Sequence, residues 1–184
     1  MDLKTPLSER DVRRLKVGDV IYLSGIIFTS RDKAHSRVVH DNETLPIDAK
    51  GLAVYHCGPI VRKDGKRWNI ISAGPTTSSR LENMESDFIR STGIRMIIGK
   101  GGMGEKTTKA CMEYGVVYCS FTGGASLVGA DCIKRVKDVF WLDMGIPEAV
   151  WVFEVSRFGP LVVSIDSKGN NLYEDVKRRA RTRV

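Results

Sequence analysis

The sequence predicts an α/β domain built on a partly parallel core sheet. Apolar runs of strand length alternate with segments of helical length through the middle of the chain, and the strands outnumber the helices. Short loops rich in Gly, Ser and Thr separate the two kinds of segment. At 184 residues, with 42% hydrophobic and 28% charged residues, the chain has the size and composition of one globular unit. We therefore predict a single domain over 1–184.

The elements follow in order from apolar patterning and helix start signals. A buried strand ends near Phe28, because the run before it is nearly continuous in apolar residues. Ser8 is placed as the N-cap of the first helix, and Ser79 with Glu82 forms an S-x-x-E capping box at the start of a later one. Helices are predicted at 7–16, from 29–32 onward, and at 79–91, 105–114, 125–136 and from 172 onward. Further strands are predicted at 52–57, 67–72, 94–98, 116–121, 139–142, 150–155 and 161–165.

Hydropathy and charge exclude several classes of protein. No apolar run approaches the roughly 20 residues that a membrane-spanning helix needs. The charged segment 1–16 lacks the apolar region of a secretory signal, so we expect a cytoplasmic protein without membrane contact. The net charge of +7 comes mostly from the end of the chain, which carries Lys177, Arg178, Arg179, Arg181 and Arg183. We interpret this basic C-terminal helix or tail at about 172–184 as a solvated helix end, and not as a nucleic-acid clamp.

The cysteine spacing predicts no metal ligated by this chain. The four cysteines, Cys57, Cys111, Cys119 and Cys132, contain no C-x-x-C pair, and no pair of histidines has ligand spacing. In a reducing compartment they are expected to be small buried apolar residues.

A recurring junction indicates where the chemistry lies. At 29–32, 74–80, 99–104 and 122–125 a strand ends, a short polar loop follows and a helix begins. Such loops gather at the carboxyl ends of parallel strands, where helix N-termini attract anions. Three of them carry a cation, namely Arg31, Arg80 and Lys100. Two guanidinium forks and one ammonium predict a pocket for a small polyanion, and they suit a dicarboxylate better than a phosphodiester.

The motifs at these loops resemble those of a known family. Five motifs occur in order along essentially the whole chain: T-S-R-D-K-A-H at 29–35, G-P at 58–59, G-P-T-T-S-S-R at 74–80, G-K-G-G-M-G at 99–104 and I-D-S-K-G-N at 165–170. They are similar to the beta subunit, or C-terminal domain, of the iron–sulfur hydro-lyases, which comprise class I fumarases and L(+)-tartrate dehydratases. Leu81 departs from the pattern, since the family commonly has Met after the motif arginine.

The resemblance implies a swivelling β/β/α domain that covers a [4Fe-4S] cluster held by cysteines of a partner alpha subunit. In the family this cluster acts as a Lewis acid on the leaving hydroxide. By motif position, Arg31, Arg80 and Lys100 would bind the carboxylates of a small dicarboxylate substrate, and Thr76 would be the catalytic base. Residues expected to support the site are Asp32, His35, Thr77 and Gly101.

The supporting residues have alternative interpretations. Asp32 and His35 are three positions apart on one helix and can face the same way. Asp32 would fix Arg31 or cap the helix, and His35 would support the site or be a hydrogen-bonded core histidine. His40 and His56 belong to no motif and are interpreted as structural.

The expected activity is that of a hydro-lyase subunit that works only with an alpha subunit. The first candidate reaction is reversible hydration of fumarate to L-malate. The second is dehydration of L(+)-tartrate to oxaloacetate, because the segments 58–63 and 158–161 are reminiscent of tartrate dehydratase beta chains. Motifs common to both enzymes leave both substrates open. A candidate of another class is an anion- or nucleic-acid-binding module that uses the basic tail.

Overall fold

Nine strands and six helices make up the fold, for which a computed structural model describes residues 1–122, 124 and 126–181. The strands are β1 (Asp2–Lys4), β2 (Val20–Thr29), β3 (Ala53–Tyr55), β4 (Ile60–Asp64), β5 (Arg67–Ser72), β6 (Met96–Gly99), β7 (Val117–Ser120), β8 (Ile133–Phe140) and β9 (Val150–Ile165). The helices are α1 (Glu9–Arg13), α2 (Asp32–Val39), α3 (Glu82–Thr92), α4 (Glu105–Tyr114), α5 (Ser126–Asp131) and α6 (Leu172–Arg181). Short 3₁₀ turns lie at Ser78–Leu81 and Leu142–Met144.

Seven strands form one sheet in the order β1-β2-β3-β6-β7-β9-β8. The first five are parallel to one another, whereas β9 is antiparallel to β2, β7 and β8. Val162 of β9 pairs with Val20 on one side and with Ser120 on the other, so β2, β3, β6, β7 and β9 close into a ring. The expectation of an α/β fold with a partly parallel core sheet is confirmed. Strands β4 and β5 form a separate antiparallel hairpin.

Both faces of the parallel strands are buried, which explains why their sequences are continuously apolar. Alternate residues point to opposite faces, so Tyr55 and Ile98 join one core while Val54 and Ile97 join another. The first core also contains residues of α1 and contacts the β4–β5 hairpin. The second is completed by α2, α3 and α4. The three helices and the ring therefore hold the loops at the carboxyl ends of β2, β3 and β6 in place.

The helix predicted at 125–136 is wrong beyond Asp131. The chain continues as β8, because Ile133, Val136 and Val139 pack against the first core from a strand beside β9. Gly123, in the predicted loop at 122–125, lies outside the described residues. So does Ala125, at the predicted start of this helix.

Three further expectations are corrected. The strands predicted at 150–155 and 161–165 are one strand, β9, because the intervening residues also pair with β2. The strand predicted at 139–142 ends at Phe140, since Trp141 adopts a left-handed backbone conformation before the 3₁₀ turn. The Ser79–Glu82 capping box does not form, because Ser79 lies inside a 3₁₀ turn and α3 has no side-chain cap. Strands β1 and β4 were not predicted.

The ends of the chain complete the description. Ser8 is the N-cap of α1, as predicted, and it forms a reciprocal capping box with Asp11. The basic segment forms α6 as far as Arg181, while Arg183 lies outside the described residues. Within the described residues, none of the helices has the length and apolar character to cross a membrane.

Candidate active site

Three of the predicted loops meet at one edge of the sheet. Arg31 follows β2, His56 follows β3 and Lys100 follows β6, and parallel strands end at the same edge. The segment after the β4–β5 hairpin crosses this edge. Its Thr76 donates a backbone N–H to the His56 carbonyl at 2.7 Å, and Thr77 forms a parallel bridge with Lys100. The structure therefore brings the loops of Arg31, Thr76 and Lys100 to one region.

The predicted base, Thr76, is half-buried. The hydroxyl donates to the His56 carbonyl at 3.2 Å. Because its hydrogen is committed to that carbonyl, the lone pairs of the oxygen are the part left to accept a hydrogen bond.

Lys100 begins a tight turn at the end of β6. Its carbonyl accepts the backbone N–H of Ser78 at 2.9 Å, and its side chain is half-buried. Gly101 and Gly102 follow with φ of 78° and 74°, the left-handed region that favours glycine. A side chain at position 102 would collide with the ring of Tyr173. The two glycines are thus what lets the chain turn between Lys100 and α4.

Arg80 is held by Asp32 through two contacts. Nε donates to Oδ1 at 3.1 Å and Nη2 donates to Oδ2 at 2.9 Å. The hydrogen bond from Arg80 holds the pKa of Asp32 below its ordinary value. Both side chains are nearly half exposed, at 46% and 40%. The expectation that Asp32 fixes Arg31 or caps α2 is corrected: its carboxylate binds Arg80, and α2 has no side-chain cap.

Arg31 is held by Glu148, a residue that the sequence analysis missed. Arg31 Nη2 lies 3.3 Å from Glu148 Oε1, and both side chains are mostly buried, at 22% and 15% exposure. A side chain at position 58 would collide with the Arg31 guanidinium and with Pro147, which explains the glycine of the G-P motif. Arg31 Nε is buried and has no hydrogen-bond partner within the described part of the chain. It is a donor group available to a ligand.

A buried cluster of three titratable side chains lies beneath these loops. Glu85 Oε2 is 3.3 Å from His35 Nε2 and 3.3 Å from His56 Nε2, and all three side chains have 0% exposure. Burial opposes ionisation of Glu85, but the positive charge of the histidine pair outweighs it and lowers the pKa of Glu85 to about 2. Burial lowers the pKa of His56. His35, left open between site support and core, is thus a buried residue adjoining the site. His56, interpreted as structural, is buried in the same cluster.

The same cluster is the one place in the described residues where three metal-ligating side chains converge. The ligand atoms of His35, His56 and Glu85 lie within 4.8 Å of one another. A zinc site with three protein ligands keeps a fourth position open to water, and a closed one needs a fourth protein ligand. The cluster is sealed from solvent, and no fourth ligand joins it among the described residues. The geometry therefore suits protons better than a metal ion.

The cysteines do not fit an iron–sulfur cluster. Cluster ligands are thiolates, and burial raises the pKa of Cys57 to about 12 and also raises that of Cys111 and Cys119. Cys132 is half-buried and lies apart from any metal-ligating group of three in the described chain. The cysteines of this chain therefore do not form a ligand set for a cluster in this structure.

Comparison with known proteins agrees with the motifs. Residues 1–176 match the family model described as fumarase C-terminus. The chain is 43% identical over 176 residues to the L(+)-tartrate dehydratase subunit beta of Escherichia coli K12, covering 96% of this chain and 88% of that protein. It is 46% identical over 177 residues to a putative L(+)-tartrate dehydratase subunit beta of Methanocaldococcus jannaschii, covering 94% and 91%. It is also 46% identical to a putative class I fumarate hydratase of Geobacillus stearothermophilus, of which it spans 34%. The resemblance found in the sequence is confirmed, and the chain belongs to the fumarase C-terminus family.

Proposed function

We propose that this chain is the beta subunit of a hydro-lyase that adds water to, or removes it from, a small dicarboxylate together with an alpha subunit. The observation that carries the proposal is the meeting of Arg31, Thr76 and Lys100 at one sheet edge in a chain 43% identical to a tartrate dehydratase beta subunit. The name of that relative supports an alpha partner.

Two reactions fit the site. In the first, fumarate is hydrated reversibly to L-malate, and in the second, L(+)-tartrate is dehydrated to oxaloacetate. Relatives named for each reaction are similarly identical to this chain, at 46% for the fumarate hydratase and 43% for the tartrate dehydratase subunit. Both substrates carry two carboxylates, which two or more cations can bind.

The residues of this chain divide the work between binding and proton transfer. Arg31, Arg80 and Lys100 bind the substrate carboxylates, with the arginine forks fixing their direction. Thr76 takes the proton from the carbon next to a carboxylate during dehydration and returns it during hydration. A neutral hydroxyl is too weak a base for this step, so Thr76 acts as its alkoxide after its proton has passed to solvent, a form that positive charge on the surrounding loops favours. Thr77 and Gly101 shape the loops that carry these groups.

The cofactor belongs to the partner in this proposal. We assign the [4Fe-4S] cluster to cysteines of the alpha subunit, where it would supply a Lewis acid for the hydroxyl that leaves as water. The buried, protonated thiols of this chain support that assignment.

The remaining expectations form part of the same proposal. The chain acts as one domain over 1–184, a swivelling β/β/α domain that covers the partner's cluster in the cytoplasm, without nucleic acid or membrane. Ion pairs within α6 support a solvated helix end, because Lys177 binds Glu174 at 2.7 Å and Arg178 binds Asp175 at 2.9 Å. Such pairs are typical of an exposed helix surface.

The test is anaerobic co-production with the alpha subunit encoded by the same source, followed by assays with malate, fumarate and tartrate. Thr76→Val should lower kcat by about 10²- to 10⁴-fold with little change in KM. Lys100→Met should raise KM more than it lowers kcat, because Lys100 binds a substrate carboxylate in both the ground state and the transition state. Thr92→Val is the matched control, because that hydroxyl also donates to a backbone carbonyl, on α3.

Two outcomes would contradict the proposal. Turnover of Thr76→Val within a few-fold of the parent, combined with lower stability, would make Thr76 a structural residue. A stoichiometric cluster spectrum after anaerobic treatment of the chain alone with iron and sulfide would place the cluster here and not on the partner.

A further inference from the structure

The buried carboxylate of Glu85 has only histidines as charged partners. A charge in a protein interior persists only where it is paired, and the two imidazole Nε2 atoms at 3.3 Å are its pairing groups in the described chain. Asp32 acts on His56 from α2, and Cys111 lies within reach of the Glu85 charge from α4. Neither brings a positive charge. At least one of the two histidines must therefore be protonated to balance Glu85.

The hydrogen bonds identify His35 as the protonated one. Its Nδ1 lies 3.1 Å from the Arg31 carbonyl, which can only accept, and 2.8 Å from the Ser30 hydroxyl. Its Nε2 lies at ion-pair distance from the Glu85 carboxylate without hydrogen-bond geometry, and a bare lone pair there would be repelled. The Ser30 hydroxyl can donate or accept, so the Arg31 carbonyl and the Glu85 carboxylate are the two acceptors that favour a hydrogen on each ring nitrogen. The ring also stacks on Phe88, with centroids 3.9 Å apart, which holds its plane.

His56 has a different environment. Its Nδ1 lies 2.9 Å from the hydroxyl of Ser78, and Tyr118 donates its own hydroxyl to that oxygen at 3.1 Å. Because Ser78 accepts from Tyr118, its hydrogen is free to point to His56 Nδ1. His56 is then neutral, with its hydrogen on Nε2 toward Glu85.

The cluster is attached to every loop of the candidate site. His35 binds the carbonyl of Arg31 and the hydroxyl of the preceding residue, Ser30. The His56 carbonyl accepts both the backbone N–H and the hydroxyl of Thr76. The residue bound to His56, Ser78, donates its backbone N–H to the carbonyl of Lys100. A shift of the cluster would move all three loops.

We propose that the ion pair of protonated His35 with Glu85, with neutral His56 beside it, is a positioning network that sets the geometry of Arg31 and Thr76. The three side chains are fully buried, so they act through the backbone groups that they hold. We infer the protonation states from the contacts of the cluster, and only the kinetic consequence rests on the proposed function.

The first experiment is nitrogen NMR of the full chain with ¹⁵N-labelled histidine. The chain has three histidines, and the exposed His40 is the internal reference. We expect one histidine with both ring nitrogens protonated at neutral pH and one neutral histidine with its hydrogen on Nε2. A neutral His35 in the parent chain would overturn the proposal, and so would a stoichiometric divalent metal that is lost in Glu85→Gln.

The second experiment uses Glu85→Gln, with Asp87→Asn as the matched control. Asp87 lies on the same helix, α3, but forms an exposed pair with Arg90. Glu85→Gln should abolish the doubly protonated signal of His35. In the complex with the alpha subunit it should lower kcat and raise KM together, by at least about tenfold in kcat/KM, because both Thr76 and Arg31 move. Asp87→Asn should change neither.

The two experiments distinguish failure of the proposed function from failure of the positioning network. A complex with no hydro-lyase activity would refute the proposed function and leave the NMR result to decide the network. Loss of the His35 signal in Glu85→Gln with kcat and KM both within twofold of the parent would refute positioning. If Glu85→Gln does not fold, His35→Gln serves in its place, with the same kinetic expectation and the same outcome against it.

Discussion

Each arginine of the site is oriented by a carboxylate from its own chain. Arg80 uses Nε and Nη2 for Asp32, and Arg31 uses Nη2 for Glu148. The remaining N–H groups, including the buried Nε of Arg31, keep fixed directions. A guanidinium held in this way offers a carboxylate two directed donors, which an ammonium cannot reproduce.

Arg31→Lys and Arg80→Lys should therefore lower the kcat/KM of the complex with the alpha subunit, although both variants conserve the charge. Loss of one charge-assisted contact amounts to about 1.5 to 3 kcal/mol, or roughly tenfold to a hundredfold in kcat/KM. Steady-state kinetics of the reconstituted complex measure this. Arg90→Lys is the control, because Arg90 pairs only with Asp87 on the helix surface in the described chain. Parent kinetics in both site variants would show that the two arginines do not bind substrate.

Glu148→Gln tests whether Arg31 needs its carboxylate partner. The variant keeps the shape of the side chain but removes the charge 3.3 Å from Arg31, so we expect KM to rise several-fold with a smaller change in kcat. Asp143→Asn removes the charge of an exposed carboxylate that pairs with Arg37 and is the control. Equal KM values in the two variants would mean that Glu148 does not orient Arg31.

Acid should destabilise the protein through the buried cluster. The folded pKa of Glu85 is about 2 against an ordinary 4.5, because the positive charge of the histidine pair outweighs the opposing effect of burial. Its contribution is complete above about pH 4.5 and is lost as the pH falls toward 2. It amounts to at most about 3 kcal/mol. Burial lowers the pKa of His56, so below its ordinary 6.5 the unfolded chain binds a proton that the folded chain refuses, and stability falls further.

Urea unfolding at a series of pH values measures this effect. Glu85→Gln should show a shallower loss of stability below about pH 4.5 than the parent. Asp11→Asn is a surface control: its carboxylate accepts hydrogen bonds from Ser8 that lower its pKa, but it lies far from the cluster on α1. If the free energy of unfolding fell equally steeply with pH in the parent and in Glu85→Gln, that result would contradict the lowered pKa of Glu85.

The residues of the site differ in how readily sequence alone identifies them. Arg31, Thr76, Arg80 and Lys100 stand in local motifs at strand-to-helix junctions, and their positions follow from the rule for parallel strands. Glu148 stands in no motif and reaches Arg31 only because β9 returns beside β2. The partners of a buried histidine depend likewise on tertiary packing, which no local pattern encodes.

At the scale of elements, the helices of the site depend on one another through their ends. Glu82 at the start of α3 accepts hydrogen bonds from the backbone of Gly104 at 2.7 Å and Lys106 at 2.9 Å, and from the Thr107 hydroxyl at 2.7 Å. It therefore caps α4, whose own N-cap, Gly104, has no side chain to do so. The cap comes from a neighbouring helix and not from the preceding residues.

The capping arrangement gives a direct contrast between two variants. Glu82→Ala should lower the free energy of unfolding by about 1 to 2 kcal/mol, because it removes the cap of α4. Ser79→Ala should change it by less than about 0.5 kcal/mol, since Ser79 is exposed in a 3₁₀ turn. Urea unfolding of both variants measures the difference. Equal losses would favour the capping box that the local sequence suggests.

Elements that depend on long-range pairing were the ones that the sequence misplaced. The segment 133–136 has apolar residues at a helical spacing, yet it is a strand because β9 offers it an edge. The helix α4 was predicted with its observed bounds, since its start and its C-terminal glycine, Gly115, are local signals.

At the scale of the whole molecule, the closed ring joins the two ends of the chain. Strand β2 lies near the N-terminus and β9 near the C-terminus, and their pairing extends from Val20–Val162 to Phe28–Val152. Strand β9 also supplies the partner edge for β7 and β8. One strand therefore holds the parallel strands, the last antiparallel strand and the loop that bears Glu148.

This arrangement governs how the chain can fold during synthesis. Until residues 150–165 have left the ribosome, β2 and β7 each expose an unpaired edge on the nascent chain. Contacts between such distant segments make folding slow compared with that of helical proteins of similar length. A chain that terminates early, before residue 150, would keep the motifs at 29–35, 74–80 and 99–104 but would present those two edges to other chains. We therefore expect such a truncated chain to aggregate, and not to form a partly active subunit.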